Sequence, residues 1–272
     1  MLELAVKSAA RTALRRFAPQ VLVHRHMRRF GRDEIEAFVL DLIVPSGHEA
    51  IDVGANWGVY ARKLAPLCDR VHCFEPNPEL AAILQRTLPS NCIVEQAAAS
   101  DKSGESTLFL PLDASRVVDG LASLNPPPGM NLAAIPVRTK SLDAFIDRPI
   151  GFIKIDVEGA EMAVLAGARE LVARHAPVIL IEIEERHRQG AIAEARRWFE
   201  SRGYQGWFID QDQFRPIHEF SPAMQDWSAF DSQAPRRSQR YVNNFLFAPA
   251  GFVTAGMRDA IHDRLAMLHD DE

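Results

Sequence analysis

The chain has 272 residues, 47% hydrophobic and 25% charged, with a net charge of −5. That length suits one sizeable α/β domain with elaborations. The acidic balance argues against a nucleic-acid partner, and no apolar run approaches the ~18 residues of a membrane span. Cys68, Cys73 and Cys92 are odd in number and too widely spaced for a metal knuckle, so a reduced, cytoplasmic setting is expected.

Residues 1–45 read as a basic helical extension. From Met1 to Arg32 the only acid is Glu3, against Lys7 and seven arginines. Leu2, Val6, Ala9, Ala13 and Phe17 recur at helical spacing, with Lys7, Arg11 and Arg15 on another face. Such a helix suits peripheral contact with the inner face of a membrane, or packing on the main domain with its arginines solvated. Residues 33–44 read as a further helix, with Asp33, Glu34 and Glu36 in its first turn and Pro45-Ser46-Gly47 ending it.

Residues 46–250 then alternate. Strands are expected over 50–53, 71–74, 92–96, 152–156, 178–183, 205–209 and 242–247. Helices are expected over 60–67, 79–88, 161–175 and 191–201, with extra β pieces at 106–110 and 135–139 around a Pro-rich loop at 125–129. This alternation implies a mostly parallel sheet with helices on both faces, and apolar runs such as PVILIEI fit strands buried on both sides. Residues 210–240 read as an irregular insertion, a lid or acceptor-binding loop carrying Phe214, Phe220, Trp227, Phe230 and the basic RRSQR. Residues 251–272 form a C-terminal helical tail.

Ligands of such sheets bind beyond the carboxyl ends of the strands. The first strand exits through AIDVGANWGVY, which places Asp52, Gly54, Ala55, Asn56 and Gly58 at a strand-to-helix turn. A dinucleotide fingerprint would carry G-x-G-x-x-G, and a carboxylate beside a pyrophosphate is repelled. The cationic ammonium and sulfonium of S-adenosylmethionine suit Asp52 better, with Asn56 and backbone amides left for the methionine carboxylate. The second strand exits through FEPNP, where Glu75 is placed for a ribose and is flanked by Pro76 and Asn77. A ribose-binding acid serves NAD as well as S-adenosylmethionine, so Glu75 marks an adenosyl ligand without choosing between them. Ala97, at the third strand exit, leaves room for a flat adenine.

AIDVGANWGVY, FEPNP, AAASDKSG, SLDAF and FIKIDVEGAEMAVLAG together closely resemble the FkbM family of S-adenosylmethionine-dependent methyltransferases. The resemblance runs from about Ala50 to about Glu184 and is most specific over Lys154 to Gly167. It implies a class I, Rossmann-like fold with a seven-stranded sheet, and cofactor roles for Asp52, Gly54, Asn56 and Glu75. It also implies O-methylation of a hydroxyl on a sugar, glycan or related metabolite. An NAD-dependent oxidoreductase and a non-catalytic cofactor-binding protein of this fold are the alternatives.

IKIDVEGAE sets Asp156, Glu158 and Glu161 at the fourth strand exit and the following helix start. A hydroxyl is a poor nucleophile, and a positioned base assists it; Asp156 and Glu158 are the candidates, as neighbouring carboxylates raise one another's pKa. Glu161, in a first helical turn, reads as a response to the helix dipole. The three acids are also a potential divalent-cation cluster, but with no histidine in the motif no metal is expected. His187, just past the fifth strand, is a third catalytic candidate, since histidine titrates near neutrality. A small-molecule or glycan acceptor is the expected partner.

Overall fold

Strand residues that are apolar on both sides are buried only between two layers, and this chain uses them so. The computed structural model describes residues 18–30, 34–113, 116–117, 122–125, 129, 131–226, 228 and 241–268. Its strands are β1 (Glu49–Val53), β2 (Arg70–Phe74), β3 (Cys92–Glu95), β4 (Ala98–Ala99), β5 (Gly104–Asp113), β6 (Arg116–Val117), β7 (Leu132–Lys140), β8 (Ile150–Ile155), β9 (Val178–Glu182), β10 (Tyr204–Asp210), β11 (Gln213–Pro216) and β12 (Asn244–Pro249). Its α-helices are α1 (Pro19–Phe30), α2 (Leu40–Ile43), α3 (Val59–Leu64), α4 (Pro78–Thr87), α5 (Glu161–Ala166), α6 (Arg169–His175), α7 (Ala191–Glu200) and α8 (Ala255–Met267).

The main sheet runs β11-β10-β12-β9-β8-β1-β2-β3. The pairs from β3 through β9 are parallel, and β12 lies antiparallel to both β9 and β10. This is the class I, Rossmann-like arrangement, but with eight strands rather than the expected seven. The eighth, β11, folds back antiparallel on β10 inside the stretch expected to be irregular. Alternation along the strands feeds two cores. Ile51, Val53, Ile153 and Ile155 pack on one face, and Ala50, Phe152, Leu180 and Leu246 on the other.

Several further expectations are corrected. The segment read as a helix over 33–44 is a 3-10 turn, Ile35–Phe38, followed by α2, with the chain leaving helical geometry at Val39 (φ −111°, ψ 8°). The helix expected over 161–175 is two, α5 and α6, parted at Gly167. A Cβ on Gly167 would lie 2.0 Å from the Ser100 carbonyl oxygen, so the chain passes too close there for any side chain. Of Phe214 and Phe220, expected on an acceptor loop, the first is a buried core residue and the second packs, partly buried, against the core. Phe214 stacks on Trp207 at 6.1 Å, and Phe220 packs edge-on against Phe208 and Phe245. Trp227, Phe230 and the RRSQR stretch lie outside the described residues.

A second sheet, β4-β7-β5-β6, stands beside the strand exits; its long β5–β7 pair is antiparallel. Leu108, Leu110 and Val137 form its core, with Ala122 and Leu124 packed against them. Helix α1 packs through Leu22, Val23 and Met27 on Trp57, Leu80 and Ile83, and His26 stacks on Trp57 at 5.2 Å. The basic stretch before it, residues 1–17, lies outside the described residues. The three cysteines are free. Among the described residues no helix is long and apolar enough to cross a membrane.

Candidate active site

A cleft of about 630 Å³, its open mouth included, lies where β1, β2 and β8 end. Gly54 and Asn56 line it from the β1 exit, Glu75 and Pro76 from the β2 exit, and Asp156 and Glu158 from the β8 exit. Ala97 to Ala99 form a small-residue wall, and Ala122, Ser123 and Leu124 close the side nearest the second sheet. Ser123, Leu124 and Leu108 carried no recognisable motif, because they reach the cleft only through the packing of the second sheet.

The exits are tied to one another by hydrogen bonds that each use a main-chain group. Glu75 is buried, and its two carboxylate oxygens accept from the amides of Asn56 and Asn77, each at 2.8 Å. It thereby locks the β1 turn to the β2 turn. Asn77 lies outside the lining and caps α4, accepting from the Glu79 amide at 3.0 Å. Ala55 and Gly58 also lie outside it. Ala55 donates its amide to the Phe74 carbonyl, and Gly58 caps α3 in a left-handed conformation. The Asp156 amide donates to the Val53 carbonyl at 2.9 Å, fixing the β8 tip beside the turn after β1. Glu158 sits at φ +51°, and its carbonyl accepts from the Ser123 hydroxyl at 2.6 Å. Glu161, which accepts from the Gly159 amide at 2.7 Å, caps its own turn and does not line the cleft.

Asp52 is the main correction. Strand parity turns it away from the lining, onto the face it shares with its register neighbours Lys154 and Cys73. Burial pushes its carboxyl up to about 7, opposed by Lys154 and the Ala61 amide, and its Oδ2 has no hydrogen-bond partner. The carboxylates lining the cleft are instead Glu75, Asp156 and Glu158. Burial also pushes Asp156 up to about 7; Lys154 opposes this, while Glu158, Glu34 and Glu161 add to it. Lys154 is wholly buried and donates to the Asn244 side chain at 2.9 Å. Burial would strip its proton, but Asp156, Glu182, Glu34 and Glu36 outweigh that and hold it charged. A lysine inside the apolar run FIKID was the sequence signal for this buried charge.

An acid whose native pKa is raised penalises the folded state once the unfolded chain ionises. For Asp52 that penalty begins above about 3.8 and is complete above about 7. Asp52→Asn, which keeps an oxygen for the Ala61 amide, is therefore expected to match the parent near pH 4. Above pH 7 it should exceed the parent by up to about 4 kcal/mol. Urea midpoints at the two pH values measure this, and a variant weaker than the parent at the higher pH contradicts it.

Residues 52–205, more than half of the chain, match the methyltransferase FkbM domain family. The chain belongs to the FkbM methyltransferase family. Among solved structures, this FkbM methyltransferase is similar to an FkbM methyltransferase from Methylobacillus flagellatus KT at 18% identity. That match has a TM-score of 0.47 and covers 74% of this chain but only 43% of the Methylobacillus protein, so the chain spans less than half the length of that structure. A SAM-dependent methyltransferase from Aquifex aeolicus matches at 13% identity and TM-score 0.41, over 85% and 98% of the two chains. A Streptococcus mutans protein solved in complex with SAH matches at 8% identity and TM-score 0.44, over 79% and 96%. No curated protein matches the chain.

S-adenosylmethionine is the cofactor of this FkbM methyltransferase, and the cleft fits it. Gly54 lets the backbone close at φ +82° where a Cβ would strike the Asp156 carbonyl oxygen. Asn56 lines the cleft, but its main-chain amide is taken by Glu75 and its buried Oδ1 has no partner, so it suits a cationic donor group and not the methionine carboxylate expected of it. Glu75 is oriented at the β2 exit for a ribose, and the alanine wall leaves room for adenine. The missing G-x-G-x-x-G and the family match remove the NAD alternative.

Proposed function

We propose that this enzyme methylates a hydroxyl oxygen of a carbohydrate-containing acceptor, with Asp156 as the base. The supporting observation is the placement of Asp156. It lines the cleft at the β8 tip, directly beside Gly54, with Glu158 two residues further along the same wall. When bound, S-adenosylmethionine supplies an electrophilic methyl group on a sulfonium. Asp156 accepts the proton of the acceptor hydroxyl as the new bond forms, and its backbone, held by Val53, fixes the carboxylate at the cleft wall.

Carboxylates are acceptor-only groups when ionised, so Asp156 and Glu158 present the cleft with hydrogen-bond acceptors that match the donors of a polyol. Val157, Leu124 and Leu108 supply apolar lining that excludes competing water. The basic stretch before α1 is a candidate for peripheral contact with an anionic membrane surface, which would bring the enzyme to a lipid-linked glycan.

Incubating the purified enzyme with methyl-labelled S-adenosylmethionine and separate glycan, glycolipid and nucleotide-sugar fractions tests the reading. The expected product carries the label as a base-stable methyl ether in one of these fractions. Label appearing as an N-methyl group, or as a base-labile methyl ester, overturns it.

A further inference from the structure

At the rim of the cleft, the exits of β8 and β9 bring Glu158 together with two side chains outside the lining, Glu184 and His187, in an arrangement that the methyl-transfer reading does not need. Glu158, Glu184 and His187 each offer one ligand atom, and those atoms lie within 4.8 Å of one another. A single ion bound at about 2.0–2.2 Å to oxygen and nitrogen spaces its ligands about 3–4 Å apart, so small side-chain rotations close the set.

The histidine carries the argument. Its side chain is 10% exposed, and its Nε2 is buried with no hydrogen bond, although the Glu158 Oε2 lies only 2.8 Å away. The two atoms stand at ion-pair distance without forming a hydrogen bond. A buried ring nitrogen left this way costs free energy unless something else occupies its lone pair. A cation between the two atoms satisfies both. Gly159 permits the approach: a Cβ built there would be 3.3 Å from the His187 Cβ.

The third carboxylate has the outer support expected of a ligand. Glu184 is buried, accepts from the Tyr241 hydroxyl at 2.5 Å, and is gripped by Arg186 through both Nε and Nη2. Arg186 also reaches Glu158 at 3.5 Å. The carboxylate pair thus already draws one cation, and Arg186 is the group an ion would compete with.

We propose that Glu158, Glu184 and His187 form a binding site for a first-row transition-metal dication. One imidazole with two carboxylates favours zinc, cobalt, manganese or iron over magnesium or calcium, which prefer oxygen alone. Glu158 also lines the cleft, so the ion stands at its rim beside Asp156. There it holds hydroxyl oxygens of the acceptor and eases loss of their protons. That role rests on the hydroxyl-transfer reading above; the binding itself does not.

Co²⁺ is the probe, titrated into tag-free, chelator-treated enzyme without cofactor or acceptor and followed by its visible ligand-field spectrum and by equilibrium dialysis. One saturable equivalent with a nitrogen–oxygen ligand field is expected. Affinity should fall at least about tenfold in both His187→Ala and Glu158→Gln, whose circular dichroism should match the parent. No saturable binding, unchanged affinity in the near-isosteric Glu158→Gln, or the intense charge-transfer bands of cysteine ligation would each overturn the site. Methyl transfer by metal-free enzyme leaves this binding result intact, and absent binding leaves the methyl-transfer reading intact, so the two fail separately.

Discussion

Asp156→Asn is expected to lower kcat by about 10²–10⁴-fold, the range for loss of a general base, with KM for the methyl donor nearly unchanged. The split follows from the geometry. The main-chain contacts of Asp156 build the donor side of the cleft: its amide holds Val53, and its carbonyl faces Gly54. Asn keeps all of these and nearly the same shape. It loses only the ability to take up a proton at that position. Titration with S-adenosylhomocysteine should therefore match the parent, while single-turnover methyl transfer slows by the full factor. An unchanged single-turnover rate removes Asp156 from the chemistry and passes the role to Glu158, which shares the wall. Loss of cofactor affinity together with rate would show a structural role only.

How much of this was legible in the sequence depended on whether local pattern or tertiary placement governs each residue. β8 and β9 announced themselves as short apolar runs buried on both faces, and Glu75, Pro76 and Asp156 follow strands at positions where the fold opens its ligand cleft. Asp52 was misplaced because its position depends on parity. One step along β1 separates the Val53 side chain at the cleft from the Asp52 side chain in the opposite core, and the motif AIDVG does not say which is which. β11 was missed because QFRP is short and ends in proline; it is a strand only because β10 offers it an edge. The 3-10 turn before α2 kept its helical apolar spacing while breaking at Val39, so periodicity survived where backbone geometry did not. The Glu158–His187–Glu184 cluster joins two strand exits about 30 residues apart, a proximity set by the β8–β9 pairing and not by spacing along the chain.

The other large effect is expected at Gly54. Gly54→Ala should destabilise the protein by about 2–6 kcal/mol, a large share of a domain's stability, and abolish cofactor binding in whatever fraction stays folded. Two independent terms contribute. A left-handed φ of +82° strains any side-chain-bearing residue, by about 1–3 kcal/mol. The added Cβ also lies 1.8 Å from the Asp156 carbonyl oxygen, a main-chain atom that cannot swing aside as a side chain would. Relieving that overlap means prising the β8 tip from the turn after β1, against the Asp156–Val53 hydrogen bond. The movement would displace the Asp156 carboxylate and the Asn56 amide, which line the same cleft. Gly47→Ala is the matched control, because Gly47 has a similar φ of +70° with nothing within 4 Å of its Cβ position. It bears the conformational strain alone and is expected to lose only about 1–2 kcal/mol with cofactor affinity intact. Urea unfolding and S-adenosylhomocysteine titration of both variants separate the terms. Equal losses in the two would mean that backbone strain, and not contact between the β1 turn and the β8 tip, makes glycine necessary at the cleft.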